Sequence, residues 1–470
     1  MKPYLLRYLV LISGAIGFIG LVGAAGEDDW KLEVLYRKNG VPFKGLLVQE
    51  SVNEVVFKCI YRKPGAPTLV FTENIEKSNV LKIEKLSDEE RTLLATRLDA
   101  LAKERERFAN TLRSLDIKTA GNKTAIEYVK LESEPWPGPS AGNANTYTSQ
   151  YFVLKTNAKP ELARLAVIQL EQVFSAYSRT LPPRKKVIKP TTILLTNSLD
   201  EYQGILKSRK IDLKNPAYFD LEKNEVICGS DLERLSLEQE KITSHHLLQL
   251  QDLQKREADL KQIYKNKIPN DLASALLDNR KKIKLAEDSN LNKIKQERIK
   301  LFERLYHEAF HAFLFNCVFD PRETAFPLWL NEGLAQIFES AVFEIGELRI
   351  GHADKSRLDA TKLALKQNTM PSIKDLLLAQ PRLFLVSHLG ENESSQKMYL
   401  ASYALAFHLT FKQKILGKTI LDDYALALKN GAEPIACFEK LTGHTLAEFE
   451  KQHLTFLNGL RLNGTSINPN

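Results

Sequence analysis

"LYHEAFHAFLFN", residues 305 to 316, sets His307 and His311 four positions apart in an otherwise apolar segment, with Glu308 directly after the first histidine. On an α-helix, residues four apart lie one turn up on the same face, so the two imidazoles can meet one cation. Glu308 projects from the adjoining face, close enough to reach a water on that cation without binding the cation itself. The other reading is a core helix with two satisfied histidines. A third ligand decides between them.

Further along stands Glu332, inside "PLWLNEGLAQIFES". The helical period of this stretch turns Trp329, Leu330, Leu334, Ile337 and Phe338 toward a core. A carboxylate held among such residues is costly unless it is paired or bound to a metal. On a second helix crossing the first, Glu332 completes a His-His-Glu set. The H-E-x-x-H arrangement suits zinc, for which imidazole is a good ligand and a tetrahedral site with one open position activates water.

With both motifs in place the sequence resembles the gluzincin metallopeptidases of the peptidase MA type. "WLNEGLA" is similar to the N-E-G-x-A stretch of aminopeptidase N-like enzymes, and Asn331-Glu332 to the N-E of thermolysin-like enzymes. "LYHEAFHAFLFN", "PLWLNEGLAQIFES" and "GELRIGH" together resemble exported bacterial proteins described as peptidase MA-like domains, over roughly residues 150 to 460. The resemblance implies zinc on His307, His311 and Glu332, Glu308 as general base, and a peptide or protein substrate. It also implies a downstream donor for the oxyanion. "KMYLASYALAFHL" offers Tyr399, Tyr403 and His408, of which Tyr399 falls where similar domains carry a tyrosine.

Two departures matter. Thermolysin-like enzymes place an acid four residues beyond the third ligand to brace a zinc histidine; here that position is Gln336. The exopeptidase signature G-x-M-E-N is absent, and the strand "NEVICGS", expected to border the cleft, carries no charged anchor for a free N-terminus. An endopeptidase, or a very narrow peptidase, is the expectation. Arg349 and His352, in "GELRIGHA", read either as surface charge or as contacts for a substrate carboxylate.

Outward from the motifs, residues 231 to 300 are charge-rich and poor in aromatics, with leucine and isoleucine at helical spacing, and break once at "NKIPND". This predicts a long coiled-coil-like hairpin turned at Pro269, its second limb running without Gly or Pro into the His307 helix. From residue 355 the chain reads as mostly helix. Residues 124 to 230 mix strands and helices: strands at "AIEYVKLE", "QYFVLKT" and "TTILLT", a helix opened by Pro160, a helix capped by Ser198 and a hairpin around Glu222 to Asn224.

Residues 29 to 86 alternate in short strands around Asn39-Gly40 and "KPGAPT" turns, which predicts a small SH3-like or Sm-like β-barrel. A helix follows from a capping box of Ser87 and Glu90. Residues 1 to 25 read as a signal peptide: Lys2 and Arg7, an apolar run, then "VGAAG". An exported protein is expected, in the periplasm, outside the cell or on its surface; membrane association would come only through an uncleaved signal. The fold class is then α+β. The expected parts are signal peptide 1–25, barrel 29–86, linking helix 87–118, the α/β part of a gluzincin-like domain at 124–354 with its hairpin insert at 231–300, and a helical part at 355–462.

Composition agrees with a globular protein, 43% hydrophobic and 26% charged. A formal charge of +8, from 66 basic and 58 acidic residues, does not favour nucleic acid. Cys59, Cys228, Cys317 and Cys437 stand far apart in apolar contexts and read as buried thiols. The rival function is a non-catalytic exported scaffold. Its barrel and helical arm would bind a partner, and its zinc would only staple the helices.

Overall fold

The computed structural model describes residues 30–63, 67–113, 129–187, 189–213, 215–344, 347–385 and 393–466; the expected signal peptide lies outside them. The fold is α+β. Among the described residues, no helix is long and apolar enough to cross a membrane.

Five strands come first: β1 (Glu33–Arg37), β2 (Phe43–Glu50), β3 (Glu54–Tyr61), β4 (Leu69–Glu76) and β5 (Val80–Glu84). They form one antiparallel sheet in the order β4-β3-β2-β1-β5. β4 and β5 are its edges and do not pair, so the sheet is open and the expected closed barrel is not formed. The reason lies in how its faces are buried. Leu35, Leu47, Val55 and Phe57 pack together on one side. The other is covered by α1 (Asp88–Arg113), whose Leu94 and Leu98 meet Leu46 and Ile60. A helix does the work that curling would have done. Its start carries the expected capping box, with reciprocal Ser87–Glu90 hydrogen bonds of 3.3 Å. Arg91 then reaches back to the buried carboxylate of Glu33 at 2.8 Å.

The second sheet contains β6 (Glu132–Pro135), β7 (Asn143–Thr148), β8 (Phe152–Thr156), β9 (Thr191–Leu195), β10 (Ala217–Asp220) and β11 (Glu225–Cys228), ordered β10-β11-β9-β8-β7-β6. β9 runs parallel to both β8 and β11, and the other pairings are antiparallel. Parallel neighbours need crossovers. These are supplied by α2 (Pro160–Thr180) and α3 (Leu199–Ser208), the latter capped by Ser198 as expected. The strand expected over 125–132 instead begins at Glu132, and residues 125 to 128 lie outside the described ones. "NEVICGS" supplies β11, second from the edge; the edge strand is β10.

α4 (Leu232–Ile263) and α5 (Asn270–Phe313) make the expected hairpin with Pro269 at its turn. Its seam is polar as well as apolar: Arg280 meets Glu257 at 2.5 Å and His246 faces Glu287 at 3.5 Å. α5 is one helix of 44 residues, mostly exposed along the arm and buried at Leu301, Phe302 and then from Leu305 to Phe313. Burial begins where the arm enters the body. There α2 braces it: the Tyr177 hydroxyl donates to the Tyr306 carbonyl at 2.5 Å, and Tyr306 donates to Gln169 Oε1 at 2.6 Å.

A π-turn over Leu314–Val318 ends that helix. Beyond it come α6 (Leu328–Glu339), the hairpin β12 (Val342–Glu344) and β13 (Glu347–Arg349), and α7 (Lys355–Lys366). The chain continues through α8 (Ile373–Leu377), α9 (Arg382–Leu385), α10 (Glu393–Phe407), α11 (Thr419–Lys429), α12 (Pro434–Thr442) and α13 (Leu446–Gly459). α6 lies against α10 so closely that a Cβ at Gly333 would stand 2.3 Å from the Ser402 carbonyl oxygen. One apolar core joins the second sheet to these helices. All four cysteines are buried free thiols.

Candidate functional site

α5 and α6 bring His307, His311 and Glu332 together. One ligand atom from each lies within 4.8 Å of the others, and all three residues are buried. Among the described residues, no other group of His, Cys, Asp and Glu is as compact. His307 Nε2 stands 3.2 Å from one Glu332 oxygen and His311 Nε2 3.6 Å from the other. Bonds of about 2.0–2.1 Å to a tetrahedral zinc place neighbouring ligand atoms roughly 3.4 Å apart. Donor types and spacing both fit a metal ion.

The far nitrogens of the two rings are held as metal-binding histidines need. His307 Nδ1 meets Glu339 Oε1, and His311 Nδ1 donates to Asn331 Oδ1 at 2.9 Å. With Nδ1 engaged in each ring, Nε2 is the atom that faces Glu332. The other oxygen of Glu339 takes the Arg357 guanidinium. Burial opposes charge on Glu339, but His307 and Arg357 outweigh it and hold its carboxyl below the usual range. Burial likewise works against charge on His307, and Glu339 and Glu332 outweigh it, leaving the ring well above 6.5. The group favours a positive charge at its centre.

Neither brace was expected from the sequence. Glu339 is two helical turns beyond Glu332 on the same face, a spacing from which it was readable. Gln336, the position of the acid in thermolysin-like enzymes, sends its amide to the carbonyls of Glu332 and Tyr399 at 3.2 and 3.0 Å. Arg357 is on α7 and carried no signal in the motif.

Glu308 is buried on the same helix, and burial pushes its carboxyl up to about 7, with Glu332 and Glu339 adding and His307 opposing. It accepts a backbone hydrogen bond from Phe219 on the edge strand β10. A carboxylate next to a group that could hold a metal ion, and against a strand edge, is placed to exchange a proton with a water bound there.

The three oxyanion candidates sit differently. Tyr399, half-buried, donates its hydroxyl to the Phe384 carbonyl at 2.6 Å. Tyr403 is buried under the Arg357 guanidinium, and its hydroxyl accepts from the Asp354 N–H at 3.0 Å. His408 is buried against Phe456 with Nδ1 3.0 Å from His453 Nδ1. Arg349 and His352 are not surface charge: they are 4% and 5% exposed. Ile350 and Ala353 beside them belong to the main apolar core.

The protein family described as "Protein of unknown function (DUF1570)" matches residues 302–422, a span holding His307, Glu308, His311, Glu332, Glu339 and Arg357. No curated protein and no solved structure matches the chain.

Proposed function

We propose that the protein is an exported zinc metallopeptidase of gluzincin type, an endopeptidase acting on peptide or protein substrates. The observation that carries this reading is the buried His307–His311–Glu332 group with Glu308 beside it. Zinc on those three residues would supply a Lewis acid and an activated water. Glu308 would take the proton of the attacking water and return it to the leaving amine. The Phe219 N–H fixes that carboxylate from the strand side, and Glu339 and Asn331 fix the histidines from behind. Tyr399, on the helix packed against α6, is the residue we assign to the oxyanion.

A purely structural zinc wants four protein ligands. The described residues supply three, which favours the catalytic reading over the scaffold. The open sheet at residues 33–84 and the arm would then serve substrate or partner binding outside the metal group. The test combines metal analysis with cleavage of a peptide library. One zinc per chain, lost in Glu332→Ala, together with cleavage that a chelator stops, is the expected result. Full zinc retention by Glu332→Ala, or no cleavage of any peptide by the zinc-loaded chain, would overturn the reading.

A further inference from the structure

Behind the metal group lies a cavity of about 770 Å³, within the range of small-molecule sites. Its wall along the root of the arm is Ile299, Phe302, Glu303 and Tyr306 of α5. At about 100° per residue these form one stripe, roughly a third of a turn from His307 and His311 and on the side away from Glu308. No metal-binding candidate and not Glu308 is among the residues around it, but Glu339 is. The cavity therefore meets the metal group only through the carboxylate that holds His307 Nδ1.

Two hydrogen-bond acceptors in that wall, on Glu303 and His352, are unfilled. Glu303 is half-buried and has no hydrogen-bond or ion-pair partner among the described residues. Burial raises its carboxyl, with Glu339 and Asp354 adding and Arg357 and Arg304 opposing. His352, 5% exposed, hydrogen-bonds the Ser340 backbone in the sense that favours a protonated ring, so it donates there. Its Nδ1 meets no partner, and burial and Arg349 favour the neutral ring, in which Nδ1 carries the lone pair. Glu339 and Asp354 add negative charge to the same wall, while the Arg357 charge is already taken by Glu339. The basic residues around the cavity, Arg298 and Lys355, are exposed, and Lys355 is paired with Asp359 at 2.5 Å.

We propose that this cavity is a second binding site, for a small organic cation bearing ammonium or guanidinium groups, coupled to the metal group through Glu339. A donor-rich cation fills Glu303 and His352 together and meets the one carboxylate of this wall that has no hydrogen-bond or ion-pair partner; Arg357 is committed to Glu339, and the other buried arginine, Arg349, acts on His352 rather than on Glu303. An inorganic cation does not suit, because these acceptors are not gathered within one coordination sphere. A cation here also draws on the charge of Glu339, weakening its support of His307. The coupling is reciprocal: ligand lowers metal affinity and metal lowers ligand affinity by the same factor. The site goes beyond the proposed peptidase reading and stands whether or not the metal group is catalytic.

The test is calorimetric titration of chelator-treated full chain with agmatine, and with 1,6-hexanediol as a neutral control of similar length. Agmatine is expected to bind saturably, the diol not to bind, and Glu303→Gln to weaken agmatine at least ten-fold. Ala341→Phe, which fills the cavity from the opposite wall, should remove binding in protein that still melts cooperatively. In zinc-loaded chain, saturating agmatine should lower zinc affinity several-fold, and Glu303→Gln should abolish that shift. Absence of agmatine binding, equal binding of the diol, or an unchanged affinity in Glu303→Gln overturns the site. An unchanged zinc affinity under saturating agmatine overturns the coupling. Because the first titration contains no metal, failure of zinc binding cannot be mistaken for failure of this site.

Discussion

His307 is held from behind by Glu339, whose second oxygen is closed by Arg357 from another helix. The histidine, the acid and the arginine come from α5, α6 and α7, so the orientation of one imidazole records the packing of three helices. Glu339→Gln keeps the size of the side chain but removes its charge, leaving the Arg357 guanidinium, mostly buried, without its anion. Loss of such a support costs about 10- to 100-fold in metal affinity. Zinc affinity measured against a competing chelator should fall by that factor, with Gln336→Ala changing it far less. Equal effects of the two variants would remove Glu339 from the site.

Glu308→Gln separates binding from chemistry. The amide preserves volume and still accepts from Phe219, so zinc content and melting temperature should stay near those of the parent. Hydrolysis of any peptide the parent cleaves should fall by roughly 10²- to 10⁴-fold, the usual contribution of a positioned base. A variant that matched the parent rate would show that the proton goes elsewhere.

Much of this site was legible because its residues are close in sequence and its helices keep a clear period. His307, Glu308 and His311 occupy one turn, and Glu332 sits in an apolar helix where a bare carboxylate needs a reason. The arm was legible for the same cause: uninterrupted periodicity on each side of Pro269. What escaped depends on contacts distant in the chain. No local feature says that Phe219 meets Glu308, that Arg357 meets Glu339, or that α1 covers the first sheet so that it stays open. Arg349 and His352 look like surface charge because burial is a tertiary property. β7, "NANTYT", is too polar to announce itself as a strand and is held by its neighbours β6 and β8.

Gly333, next to the third candidate ligand, is set by the α6–α10 contact rather than by backbone freedom. A Cβ there would meet the Ser402 carbonyl oxygen at 2.3 Å and the Ala406 Cβ at 2.6 Å. The first neighbour is backbone, which cannot rotate away, so Gly333→Ala must separate the helices. Overpacking of this kind costs about 1–3 kcal/mol. Because Glu332 moves with the same turn, zinc affinity should fall along with the urea midpoint. A variant as stable as the parent would mean that α10 shifts freely.

His408 and His453 form a buried pair at the other end of α10, Nδ1 to Nδ1 at 3.0 Å, stacked with Phe449 and Phe456. Only one of the facing nitrogens can carry a proton, so the pair is neutral with one shared hydrogen. Burial, with Lys412 adding, pushes His408 down to about 3; burial and His408 push His453 well below 6.5. In the unfolded chain both titrate near 6.5. Below that pH the unfolded state binds protons that the folded state refuses, so stability is full above 6.5 and falls as pH drops toward 3. Each group contributes at most about 1.4 kcal/mol per pH unit, or roughly 2–4 kcal/mol for the pair between pH 7.5 and 5. Urea unfolding of the parent and of His408→Leu/His453→Leu at those two pH values isolates this share, since every other titrating group is common to both. The parent should lose more stability than the double variant by that amount. Equal losses would show that the pair accepts protons in the folded protein as readily as in the unfolded one.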